Sequence, residues 1–108
     1  MLPRRIPKPP RFNAPKRVRS PGHLKFVRGF ACVACSSTQA IHAHHVRLGT
    51  HSPMGVKPDD SAAVSLCASC HARLHIIGEA TFQKFHNLDL LALAAEFVKA
   101  SPHRSKFK

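Results

Sequence analysis

The sequence predicts a small α+β domain in which a β-hairpin and the helix after it are clipped together by a metal on four cysteines. Extra helices follow on the C-terminal side, and an extended basic arm precedes the domain. Two Cys-x2-Cys pairs, Cys32 with Cys35 and Cys67 with Cys70, enclose 31 residues. A histidine-rich pattern runs between and behind them. The first 28 residues hold nine of the 17 Lys and Arg, six of the nine prolines and no acid.

The chain has 108 residues, no Trp, no Tyr and seven Phe. One domain of this size withdraws only about 60 to 65% of its unfolded surface from water. With so few large rings as core anchors, a staple beyond apolar packing is expected.

Residues 1–22 form the arm: a segment so charged and Pro-rich cannot offset its ordering entropy by burial, and it is expected to be extended and mobile. The domain takes residues 23–108. His23 to Phe30 has apolar residues at 24, 26, 27 and 30, which fits a short helix or a strand. Cys32 to Cys35 with Ser36-Ser37-Thr38 reads as a tight turn, and Ala40 to Val46 as a strand. Gly49, Pro53, Gly55 and Pro58 mark a loop. Ala62 to Leu66 is a second strand, and Cys67 to Cys70 leads into a helix through His71, Leu74 and His75 that ends at Gly78. Glu79 to Phe85 is expected to be helical. Asn87 is the expected N-cap of a last helix, with Leu91, Ala94, Ala95 and Val98 at helical spacing beside Leu90 and Phe97. Pro102 stops it.

No run approaches the 18 or so apolar residues of a spanning helix, and no apolar stretch follows Met1-Leu2-Pro3-Arg4-Arg5, so a membrane span and a secretory signal are not expected. The cytoplasm is the expected compartment. Thiols there are more often metal ligands than disulfides. Each two-residue gap lets both sulfurs of a knuckle turn toward one ion, and two knuckles complete a closed, structural Zn²⁺ site at Cys32, Cys35, Cys67 and Cys70. The bland alternative is a pair of disulfides or unligated buried thiols. The gap of 31 residues is longer than the roughly 15 to 20 of a short zinc ribbon. The extra chain is the hairpin, whose ends the zinc would clip beside the helix.

Three of the nine histidines, His42, His44 and His45, lie on the first strand, and His71 and His75 open the helix. Residues four apart share a helical face and can bind one ion together. Adjacent strand residues point to opposite faces, so His44 and His45 face the helix together only if the strand ends or bulges there. His42 shares a face with His44 and is the reserve ligand candidate.

Cys-x2-Cys, a strand ending in His-His, a loop, then Leu-Cys-x2-Cys-His-x3-His resembles the HNH endonucleases. Their ββα-metal fold is a hairpin and a helix around one divalent ion. The resemblance covers roughly residues 23–86. It is nearest to small phage and prophage HNH proteins, including the phage recombination-enhancement nucleases, where stretches like Met54-Gly55-Val56-Lys57-Pro58-Asp59-Asp60 and Gly78-Glu79 also occur. It implies that His45 is the general base, that His44 and His71 are ligands of a catalytic divalent ion (Mg²⁺, Mn²⁺, Ni²⁺ or Zn²⁺), and that His75 is a third ligand or a phosphate contact. The implied products carry 5′-phosphate and 3′-hydroxyl ends. A recombinase or another phage DNA-processing protein is an implied candidate partner. The family's loop-bracing asparagine has no counterpart here, since the only asparagines are Asn13 and Asn87. Asp60 or Ser61 are the short polar residues placed to brace the loop instead.

A formal net charge of +12 points to a polyanionic partner, duplex or structured DNA, while the scarcity of aromatics leaves no stacking platform for single strands. The arm offers Arg4, Arg5, Lys8, Arg11, Lys16, Arg17 and Arg19 for phosphate contacts. Arg47, Lys57 and Arg73 lie near the expected site in sequence. The sequence-level expectation is a metal-dependent HNH endonuclease of low sequence specificity. The alternative is a non-catalytic, zinc-dependent nucleic-acid-binding module.

Overall fold

The computed structural model describes residues 18–50 and 58–107. They form a small α+β fold of four helices and a two-stranded sheet. The expectations that fall on residues 1–17 and 51–57, including Arg4, Arg5, Lys8, Arg11, Lys16, Arg17 and Lys57, lie outside the described residues.

Helix α1 spans Pro21–Arg28, which settles the helix-or-strand alternative. Ser20 is its N-cap, the Ser20 hydroxyl accepting from the His23 N–H, and the proline stands in the first turn, where no N–H is needed. The folded part therefore begins before residue 22, the expected end of the arm. The Val18 N–H donates to Asp59 Oδ1 at 2.9 Å, the Asp60 N–H to the Val18 carbonyl at 3.0 Å, and Ser20 is fully buried.

Strand β1, Ile41–His45, pairs antiparallel with β2, Ala63–Cys67, with Ile41 opposite Cys67 and His45 opposite Ala63. Every residue of β2 is buried. One face lies against the helices and the other under the first cysteine turn, where the Val33 N–H donates to the Ser65 carbonyl and the Ser65 hydroxyl to the Ala31 carbonyl. A short 3-10 turn over Asp60–Ala62 delivers the chain into β2, one residue later than the sequence suggests.

Helix α2, Ala68–Ile77, follows β2 without a break, because the Cys67 sulfur accepts the Cys70 N–H and acts as N-cap. Gly78 at φ 87° ends α2 and begins α3, Glu79–His86; its Cα has open space around it, so the positive φ is what calls for glycine. Helix α4 spans Leu90–Ala100.

Asn87 does not cap α4. It sits in the left-handed conformation at φ 54° as the C-cap of α3, while the Asp89 carboxylate accepts the Ala92 N–H and is the N-cap. Both residues can perform either task, and the Gln83 side chain, accepting from the Leu90 N–H at 2.8 Å, fixes where the turn falls. The inner face of α4 runs through Leu90, Ala94 and Phe97, with Leu91 also packed against the core, while Ala95 of the expected set is exposed. Phe82, Leu90 and Ala94 join Val46, Val64, Leu66 and Leu74 in one core that also takes in Cys32 and Cys67. Among the described residues, no helix is long and apolar enough to cross a membrane.

Candidate functional site

Two ligand clusters stand at opposite ends of β1. At its start, one sulfur from each of Cys32, Cys35, Cys67 and Cys70 falls within 4.8 Å of the others. A zinc tetrahedron with Zn–S of about 2.3 Å has sulfur-to-sulfur edges of about 3.8 Å, so the four fit one ion. The first knuckle is shaped by the Ser36 N–H donating to the Cys32 carbonyl, with Ser36 at φ 65°, and the second by the Cys67 cap. Burial opposes ionisation of Cys32, yet N–H donors from Cys67, Cys35 and Ala34 outweigh it and bring the thiol to about 7. Burial and the three neighbouring sulfurs push Cys70 strongly up. Crowded thiols that resist ionising together are the setting a divalent cation relieves. Four cysteines this close can hold a structural metal such as zinc.

At the other end of β1, His44, His71 and His75 each place a ring nitrogen within 4.8 Å of the others. His71 and His75 share a face of α2, their Nε2 atoms 3.0 Å apart. His44 comes from the strand beneath, its ring centroid 5.1 Å from that of His71 and 5.5 Å from that of His75. His42, on the same strand face, lies 5.3 Å from the His71 ring at the margin of the group. Burial, then His44, His75 and His42, hold His71 down at about 4. It is neutral at pH 7, the form that offers a lone pair to a metal.

His44 Nε2 is buried and has no hydrogen-bond partner among the described residues. It stands 3.5 Å from Glu79 Oε2, and Glu79 also accepts the Arg47 N–H on both carboxylate oxygens at 3.0 Å. Burial opposes ionisation of Glu79, but the His44 ring and the Arg47 and Leu48 N–H groups prevail and hold the carboxyl below its ordinary range. The orphaned nitrogen, the three convergent imidazoles and the nearby carboxylate suit a divalent cation.

His45 is the last residue of β1, which resolves the facing problem posed by adjacent strand histidines. Its Nε2 meets Asp60 Oδ1 at 2.8 Å. Both histidines still border one cleft of about 570 Å³, together with Arg47, His71, His75 and Glu79. Asp60 is 2% exposed. It also accepts from the Ser20 N–H at 2.6 Å and from Arg19 Nη1 at 3.2 Å. Burial alone would raise this carboxyl, but His45, the Ser20 N–H and Arg19 together lower it.

A family model described as "Protein of unknown function (DUF968)" matches residues 5–101. The chain belongs to the DUF968 family. No curated protein and no solved structure matches it. The region shared with DUF968 takes in both ligand clusters and the cleft between β1 and α2.

Of the cations expected to contact phosphate, this DUF968 chain places Arg47 at the cleft. Arg73 does not line it; its guanidinium lies 4.5 Å over the Phe85 ring on α3. Residue 73 points away from the face shared by His71 and His75, since two residues along a helix is about 200° of rotation. Arg19 is engaged by Asp60 and by the Pro58 carbonyl.

Sequence reasoning missed the pairing of acids with the cleft histidines. The chain has only five acids, and two of them sit on His44 and His45. In so basic a chain each acid is the scarce partner, and that scarcity was the available signal.

Proposed function

We propose that this chain is a metal-dependent DNA endonuclease of HNH type. The reading rests on one observation above the rest: three imidazoles converge beside a fourth, carboxylate-paired imidazole in a cleft that Arg47 also borders. The hairpin-then-helix order around the histidines is that of the ββα-metal fold the sequence resembles. The four-cysteine zinc lies outside the cleft and serves as a staple.

In this reading His44, His71 and His75 hold the catalytic ion. When bound, the ion supplies positive charge to the scissile phosphate and to the departing 3′ oxygen. His45, in its neutral form, takes a proton from water as the resulting hydroxide attacks phosphorus. The bond to the 3′ oxygen breaks and that oxygen takes a proton from solvent water, leaving 5′-phosphate and 3′-hydroxyl ends. Arg47 orients the phosphate, and the cations elsewhere in the chain hold the duplex without reading bases.

The test is cleavage of supercoiled plasmid at low salt with Mg²⁺, Mn²⁺, Ni²⁺ or Zn²⁺, wild type beside His45→Ala, with zinc content measured on both. Nicking by the wild type alone, at equal zinc, is the expected result. Binding without nicking by either protein overturns the enzyme reading in favour of a zinc-dependent nucleic-acid-binding module.

A further inference from the structure

The Asp60 carboxylate joins two parts of the molecule that the sequence gives no reason to connect. On one side it meets the ring of His45; on the other it is held by Arg19 and by the Ser20 N–H, the residues where the basic N-terminal segment enters the fold. The Val18 N–H donates to the Asp59 carboxylate and the Asp60 N–H to the Val18 carbonyl, so residues 18–20 are tied to residues 58–60 and the Asp60 carboxylate is held from both sides. An ionised carboxylate only accepts hydrogen bonds. The ring nitrogen facing it, Nε2, is therefore the one that carries hydrogen, and in the neutral ring Nδ1 is the nitrogen that can take a proton.

We propose that Asp60 is the positioning residue of His45, fixing its ring and its Nε2–H tautomer, and that Arg19 and the Ser20 N–H position Asp60 in turn. The inference deepens the nuclease reading and rests on His45 as the base of that reaction. It assigns the root of the basic segment a task distinct from phosphate binding. Arg19 acts through Asp60 on the orientation of the base, so its loss is felt in the chemical step and not in the grip on DNA.

Two measurements test this on the full chain. Long-range proton–nitrogen NMR of the imidazoles, with His45 assigned by its disappearance in His45→Ala, reads the tautomer without requiring catalysis. The expected result is hydrogen on Nε2 in the wild type and a shift toward the Nδ1–H form or a mixture in Asp60→Asn. Hydrogen on Nδ1 in the wild type overturns the proposal. Plasmid-nicking kinetics are the second readout. Asp60→Asn is expected to lower kcat by roughly 10²- to 10⁴-fold with little change in KM. Arg19→Ala lowers kcat less, and Arg19→Lys restores part of the loss. A rise in KM at constant kcat for Arg19→Ala makes Arg19 a phosphate contact and overturns its positioning role. Should Asp60→Asn fail to fold, the wild-type tautomer and the Arg19 pair still decide. If the wild type nicks nothing, the nuclease reading falls, and the tautomer alone decides whether Asp60 sets the ring.

Discussion

The Nε2 atoms of His71 and His75 stand 3.0 Å apart across one turn of α2. That separation is close to the edge of a zinc or nickel coordination polyhedron, about 3.0 Å for an octahedron and about 3.4 Å for a tetrahedron with metal–nitrogen bonds near 2.1 Å. Imidazoles suit Zn²⁺, Ni²⁺ and Co²⁺ better than Mg²⁺. Calorimetry on the zinc-loaded protein is expected to show one further ion bound, tighter for Ni²⁺ or Co²⁺ than for Mg²⁺. His71→Ala and His75→Ala each lose that second ion while keeping the zinc on the cysteines.

Glu79 Oε2 stands 3.5 Å from His44 Nε2, the nitrogen left for the ion, so its charge lies on the metal side of the ring. A carboxylate so near attracts a divalent cation. Glu79→Gln is expected to weaken the second ion by about tenfold or more and to leave the first untouched, which the same titration reads.

The cysteine cluster closes the fold where β1, β2 and α2 begin or end. Cys67 is both a candidate metal ligand and the helix N-cap, so Cys67→Ser keeps a capping oxygen and loses a sulfur. Native mass spectrometry is expected to show zinc missing from the variant, and circular dichroism to show a chain largely unfolded at 25 °C, because metal binding in small domains is folding free energy.

Phe82 is fully buried where α3 meets the core. Phe82→Ala leaves a cavity the backbone cannot close, and a loss of about 3 to 5 kcal/mol is expected in urea unfolding of the zinc-loaded protein.

His23 is buried against Ser101, its Nδ1 2.9 Å from the hydroxyl, and its Nε2 has no partner among the described residues. Burial lowers its pKa, with His103 acting in the same direction and Asp60 against them. The folded chain then binds fewer protons than the unfolded chain below the ordinary value of 6.5, so the stability that neutral His23 contributes is present above that pH and declines as pH falls through it. Thermal unfolding between pH 7.5 and 5 is expected to show a fall in Tm that is smaller in His23→Gln.

The element order after the first cysteine turn was legible in the sequence because its boundaries have local causes, such as Gly78 at the end of α2 and Pro102 after α4, whereas the sequence leaves α1 open between helix and strand and counts its first turn at Pro21 with the arm. Parts of the two ligand clusters were legible too, since spacings of three and four residues place Cys32 with Cys35, Cys67 with Cys70 and His71 with His75 on one turn, while His44 enters through the resemblance. What the sequence hid is long-range. Asp60 lies 15 residues from His45 and about 40 from Arg19 and Ser20, and no periodicity encodes such a meeting. The choice between Asn87 and Asp89 as helix cap was equally closed, because it depends on where Gln83 reaches. Arg73 was misplaced by nearness in sequence alone, which says nothing about the side of a helix.

The hydrogen bonds that tie residues 18–20 to residues 58–60 bear on how this protein is to be handled. A basic, Pro-rich leader invites trimming to improve expression or crystallisation, and the composition alone suggests cutting after residue 22. That cut would remove the Arg19 and Ser20 donors to a carboxylate that is almost wholly shielded from water. A shortened version that looks sound by mass would carry a buried charge with His45 left and two of its three partners gone, so any truncation should stop short of Val18.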